Sequence, residues 1–106
     1  MCNDMIVEIL EKVPIENGTP IFSEEIRNLI HEVAEQGRNA SFFRDKNTQT
    51  KACAYARELT AEEVYLDMLG KVAYAPTMLH ARASAIGLLM IIDEKLQEKS
   101  SYQEVI

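Results

Sequence analysis

Tryptophan is absent from this chain of 106 residues, and glycine, proline and cysteine occur only four, three and two times. Four scattered glycines cannot supply the glycine-rich loop that holds a phosphate group. Cys2 and Cys53 form no CxxC pair, and neither lies near a histidine at metal-ligand spacing. They therefore indicate neither a disulfide framework nor a zinc site, and we expect Cys53 to be a small core residue.

Long hydrophobic runs are absent as well. The most apolar run covers residues 85–92, which is far shorter than the ~20 apolar residues that span a bilayer. The first residues show neither the positive charge nor the apolar stretch of a signal peptide. We therefore expect a soluble chain that works in the cytoplasm and has no membrane partner.

Positive charge is scarce, because 11 lysines and arginines are outnumbered by 17 aspartates and glutamates, and the net charge is −6. Binding to DNA or RNA without sequence preference depends on lysine and arginine replacing counterions. Binding to an anionic membrane surface needs the same residues. The composition argues against both, and it favours basic partners.

Helical periodicity, by contrast, recurs through most of the chain. It predicts helices at residues 4–12, 24–37, 49–58, 61–74 and 77–98. A chain of this size is one domain, here residues 1–106, and on folding it buries about 65% of the surface that its unfolded form exposes. We predict an all-α, four- to five-helix orthogonal bundle with a polar, frayed tail from about residue 97.

Several helix boundaries are marked by particular residues. Ser23 is expected to cap the second helix, and Thr60 with Glu63 has the spacing of a capping box for the fourth. Asn3 or Asp4 is expected to cap the first helix.

Glycine and proline mark the places where regular structure is expected to stop. Gly37 is expected to end the second helix in a left-handed conformation, and Gly70 suggests a bend or a close neighbour. Residues 14–22 are predicted to be a loop that turns at Asn17 and Gly18, with Pro20 preventing regular strand pairing.

The last helix is apolar on every side in its second half. Such a helix is buried on every side, so it is either the central helix of the bundle or half of a subunit interface. We expect a homodimer that self-associates through Leu88, Leu89 and Ile92.

Candidate catalytic and metal-ligating sets are incomplete. His80 and Ser84 share a helix face, but no third group orients them. His31 and Glu35 are spaced as one i, i+4 pair, which is typical of a solvated helix face. We expect no enzyme activity, no cofactor and no metal.

One enzyme family has a partly similar pattern. Glu32 and Glu35 supply a Glu-x-x-Glu spacing, which resembles the first carboxylate pair of the all-α MazG-type nucleotide pyrophosphohydrolases. The resemblance implies Mg²⁺ held by carboxylates on two facing helices. Glu63 and Asp67 are one residue too far apart to complete the second pair.

The clearest asymmetry of charge lies between residues 38 and 57. This segment has five cations and one acid, so it carries +4 and leaves −10 for the remainder. Cations, aromatic rings and amides together suit anionic surfaces or nucleotides. We predict that it binds a partner or ligand through the following residues: Arg38, Phe42, Phe43, Arg44, Lys46, Lys51, Tyr55 and Arg57.

These observations favour a non-catalytic, acidic, helical interaction module that binds a protein and modulates or inhibits it, as bacterial or phage inhibitors, immunity proteins and adaptors do. One alternative is a small helix-turn-helix-like regulator. Its recognition residues would be Thr77, His80, Arg82 and Ser84, although phosphate-binding cations are few. The other is a binder of a small anionic, nucleotide-like ligand at residues 38–57.

Overall fold

Four α-helices make up most of the computed structural model, which describes residues 2–39, 53–74 and 79–105. In chain order the elements are α1 (Cys2–Lys12), β1 (Ile15–Glu16), β2 (Thr19–Pro20), α2 (Glu24–Asn39), a 3₁₀ helix (Ala54–Glu58), α3 (Ala61–Tyr74) and α4 (Leu79–Val105). The predicted helical class is therefore confirmed, with one small antiparallel sheet in addition. No helix among these described residues is long and apolar enough to cross a membrane.

Helix α4 lies at the centre of the core. Helices α2 and α3 both pack on it, and α1 packs on α2. Its residues 88–92 are all buried, which agrees with the apolar character of every side of this segment. The radius of gyration is 13.2 Å, close to the ~13 Å of a compact domain of about 100 residues.

The three residues expected to mediate self-association belong to this core. Leu88, Leu89 and Ile92 are 1%, 0% and 0% exposed within a single chain. The chain itself covers them, so the expectation that they form an interface is corrected: they hold α4 inside the bundle. Their burial removes the reason for expecting a dimer through this face, while self-association elsewhere stays a prediction.

Two helix starts agree with the sequence. Ser23 Oγ accepts from Ile26 N at 3.3 Å, as an N-cap does. At the start of α3, Glu63 N donates to Thr60 Oγ1 at 3.1 Å, and Thr60 N donates to Glu63 Oε1 at 2.9 Å. This is the predicted capping box, and its hydrogen bonds lower the pKa of Glu63.

Gly37 does not end α2. The helix continues to Asn39, and Gly37 is buried inside it. A methyl group on its Cα would lie 2.6 Å from Ile86 Cγ2 and 3.1 Å from Met90 Sδ. The glycine is needed because α2 and α4 approach closely here, and its role is in packing rather than in chain reversal.

The predicted loop contains a short hairpin. Asn17 and Gly18 have φ of 52° and 78°, which confirms the turn and suits the residues that tolerate positive φ. Regular pairing nevertheless occurs on both sides of it. Pro20 is opposite Ile15, outside the hydrogen-bonded pair that closes the turn, so its missing N–H is not required.

Other boundaries also differ from the prediction. Helix α1 begins at Cys2, before the expected caps, and α4 extends to Val105, past the predicted end at residue 98. Fraying of the tail stays a prediction. Of the predicted helix at 49–58, residues 54–58 form a 3₁₀ helix and the start lies outside the described residues. Cys53 is buried in the core, as predicted.

Gly70 and Gly37 allow a matched test of these contacts. Nothing lies within 4 Å of a methyl group built on Gly70, so the expected close neighbour is not found. Gly70→Ala should raise the free energy of unfolding by about 1 kcal/mol through helix propensity. Gly37→Ala should lower it by about 1–3 kcal/mol because Ile86 must move. Urea denaturation measures both changes in the free energy of unfolding. Changes of the same sign in the two variants would contradict the close packing of α2 against α4 at Gly37.

The buried ring of Tyr65 sets an alkaline limit. Tyr65 is 1% exposed and packs edge-on against Phe22 at 5.7 Å. Burial raises its pKa to about 12, whereas an unfolded tyrosine ionises near pH 10. Ionisation therefore favours the unfolded chain as the pH rises from about 10 to about 12, and it has no effect below that range.

Phenylalanine cannot ionise, so between about pH 9 and about pH 11.5 we expect Tyr65→Phe to lose roughly 2 kcal/mol less free energy of unfolding than the parent. The measurement is the free energy of unfolding in urea at about pH 9 and about pH 11.5 for both proteins. An equal alkaline loss in parent and variant would show that Tyr65 ionises as freely in the fold as in the unfolded chain.

Candidate functional site

The predicted contact segment is described only at its two ends. Arg38 lies in the last turn of α2, and Tyr55 and Arg57 lie in the 3₁₀ helix. The other five predicted residues lie outside the described part of the chain: Phe42, Phe43, Arg44, Lys46 and Lys51.

Each of the three described residues contacts an acid of the same chain. Arg38 bonds to Glu35 at 2.6 Å and to Asp93 at 2.8 Å. Arg57 lies 3.6 Å from Glu94. The Tyr55 hydroxyl donates to Asp67, and burial together with this bond raises its pKa. These contacts join secondary-structure elements, and binding of a partner or ligand by residues 38–57 stays a prediction.

A second polar site lies between α2 and α4 and is centred on Asp93. This residue is 2% exposed and is the one buried charged residue in the described part of the chain. Three side chains surround its carboxylate. Arg38 Nη2 lies at 2.8 Å, His31 Nδ1 at 3.1 and 3.2 Å, and Gln97 Nε2 at 3.2 Å from both oxygens. We call Asp93, Arg38, His31 and Gln97 the Asp93 cluster.

The two helices position this cluster by their periodicity. His31 and Arg38 are seven residues apart on α2 and so lie on one helix face, directed to α4. Asp93 and Gln97 are one turn apart on α4. Burial alone would lower the pKa of Arg38, but the hydrogen bonds and charges of Asp93 and Glu35 outweigh it and raise the pKa.

A carboxylate only accepts hydrogen bonds, so each neighbour directs a donor to it. His31 therefore carries its proton on Nδ1, and Gln97 directs its amide NH₂ to the same oxygens. The two nitrogens converge to 2.9 Å from each other for this reason. In the neutral imidazole, His31 Nε2 is left as an acceptor, and so is Gln97 Oε1.

An open pocket of about 600 Å³ lies beside the cluster. Its walls come from α2 and α4, and its lining residues are His31, Glu35, Arg38, Glu94, Gln97 and Glu98. The side chain of His31 is 48% exposed there. The pocket therefore places an accessible imidazole over a buried carboxylate.

For the metal, MazG-like and helix-turn-helix hypotheses, the described residues form no complete site. Among the described residues, no three His, Cys, Asp or Glu side chains come together to hold a metal ion. Of the carboxylates in the partial MazG-like pattern, Glu35 bonds to Arg38 and Asp67 accepts from Tyr55. The turn of the helix-turn-helix alternative falls at residues 75–78, outside the described residues.

Sequence reasoning did not identify the Asp93 cluster, although a signal for part of it was present. Asp93 follows the apolar run directly, four residues after Leu89 and three before Leu96, both buried. This spacing places it on the buried face of the helix. A buried acid requires cations, and His31 and Arg38 are the basic residues seven apart on one face of α2.

Comparison of the chain with protein-family models, with curated protein sequences and with solved structures gives no match. The function therefore has to be inferred from the chemistry of these sites.

Removing the charge of Asp93 tests the cluster. In Asp93→Asn, an amide replaces the acceptor of Arg38 and His31, and we expect a loss of about 1.5–3 kcal/mol in the free energy of unfolding. The side chains of Arg38 and His31 can still reach water, which limits the loss. The control is Glu98→Gln, an exposed acid, which should change stability by less than about 0.5 kcal/mol. Equal urea midpoints for the two variants would show that the charge of Asp93 contributes nothing to the stability of the fold.

Proposed function

We propose that this chain is a non-catalytic helical interaction module of the cytoplasm, which binds a basic protein through an acidic surface and modulates or inhibits it. The observation that carries the proposal is the distribution of paired and unpaired charge on the described surface.

Every cation whose side chain is described already has a partner in the chain. Lys12 bridges Glu8 and Glu25, and Lys71 lies 3.9 Å from Asp67. Lys95 donates to a backbone carbonyl. Arg27 does the same, and Arg38 and Arg57 have the acidic partners described above.

Many acids, by contrast, make no ion pair with a described side chain. Exposed examples occur on three helices, on the hairpin and at the end of the 3₁₀ helix: Glu11, Glu16, Glu24, Glu32, Glu58 and Glu98. The unneutralised charge of this surface is therefore negative. Complementary charge speeds association and selects partners, so the surface suits a basic protein and repels nucleic acid.

Affinity capture tests this proposal. The immobilised chain should retain one stoichiometric basic protein from an extract of the cells that produce it. Calorimetry with the purified partner should show affinity falling about tenfold or more between about 0.05 and 0.5 M salt, because salt screens exposed charges. Retention of an acidic protein, salt-independent binding or retention of DNA would each contradict the proposal.

A further inference from the structure

We propose that the pocket between α2 and α4 receives an arginine or lysine side chain from a basic segment of the partner. This inference rests on the proposed function and identifies its contact site. Three observations support it: the size of the pocket, the way the buried carboxylate orients the hydrogen-bonding groups of the lining, and the pairing of the nearby cations with acids of the chain.

The first support is the hydrogen-bonding character of the pocket. Asp93 accepts hydrogen bonds from His31 Nδ1 and from the side-chain amide of Gln97. His31 Nε2 and Gln97 Oε1 are the atoms left for a ligand, and both are acceptors. A guanidinium or ammonium group supplies only donors, so it complements these neutral groups as well as the carboxylates.

The cations in and beside the pocket already form ion pairs within the chain. Arg38 directs its two terminal nitrogens to Glu35 and Asp93. Arg57, which lies outside the pocket lining, contacts Glu94. Glu98 makes no ion pair among the described side chains, so the lining keeps an excess of negative charge. An anionic ligand would meet mainly acceptors and carboxylates, and Arg38 of the lining already pairs with two acids, so the pocket disfavours an anion.

The third support is the shape of the pocket. A volume of about 600 Å³ is within the range of pockets that hold small organic molecules, roughly 300–1,000 Å³. One arginine side chain fits such a space, and the open mouth leaves room for the backbone that carries it.

The test uses the full chain and a capped Arg-Ala-Arg-Ala-Arg peptide. Its affinity is measured by NMR titration, with the ring signals of His31 as the local reporter. We expect the His31 signals to move on binding and Glu98→Gln to weaken the affinity about threefold or more. A peptide with citrulline in place of arginine should not bind.

The matched control is Glu11→Gln, which removes an equal, exposed charge from α1. It should leave the affinity within about twofold of the parent. Equal weakening by Glu11→Gln and Glu98→Gln, or His31 signals that do not move, would overturn the pocket as the site. Circular dichroism establishes that both variants are folded.

The outcomes separate this inference from the proposed function. If a captured basic partner binds with unchanged affinity to Glu98→Gln and is not displaced by the arginine peptide, the module stands and the pocket inference fails. If the peptide binds at the pocket as expected but no protein is captured, the pocket stands and the proposed function fails.

Discussion

A carboxylate buried midway along the central helix has to be neutralised, and much of this structure follows from how that is done. Removing an ion from water costs several kcal/mol unless charges and hydrogen bonds replace the hydration. Asp93 obtains its replacements from Arg38 and His31 on α2 and from Gln97 one turn along α4. The requirement restricts where α2 lies along α4, because the side chains of Arg38 and His31 must both reach this carboxylate.

The packing of the two helices makes this contact possible. Gly37 allows α2 to approach Ile86 and Met90 closely, and the next residue, Arg38, then reaches Asp93, one turn beyond Met90. Close apolar contact and charge neutralisation are therefore adjacent parts of one interface. The same interface forms a wall of the pocket, so a change that loosens the helices also alters the atoms available to a partner.

Features set by neighbouring residues could be predicted from the sequence. The Ser23 cap, the Thr60–Glu63 capping box and the Asn17–Gly18 turn each depend on residues within one turn of each other, and each is found. The prediction that Gly37 ends α2 is wrong, because a left-handed helix end and a close contact between helices both favour glycine. Only the position of α4 distinguishes them.

The site was harder to predict because its contacts join residues that are distant in the sequence. The net local charge of residues 38–57 indicates a cationic surface, whereas the ion pairs of Arg38 with Asp93 and of Arg57 with Glu94 join residues far apart in the chain. His31 and Asp93 are 62 residues apart. The spacing of Asp93 from Leu89 and Leu96 marks it as buried, but the identity of its partners depends on the packing of α2 against α4.

The central claim is that Asp93 holds the His31 ring with its proton on Nδ1 and its acceptor on Nε2. Nitrogen NMR of the His31 side chain at about pH 9, well above the ordinary histidine pKa of about 6.5, measures this directly. The structure predicts the Nδ1–H tautomer in the parent and its loss in Asp93→Asn. An Nε2–H tautomer in the parent would contradict the account, because His31 would then direct a lone pair to the buried carboxylate and offer the pocket a donor.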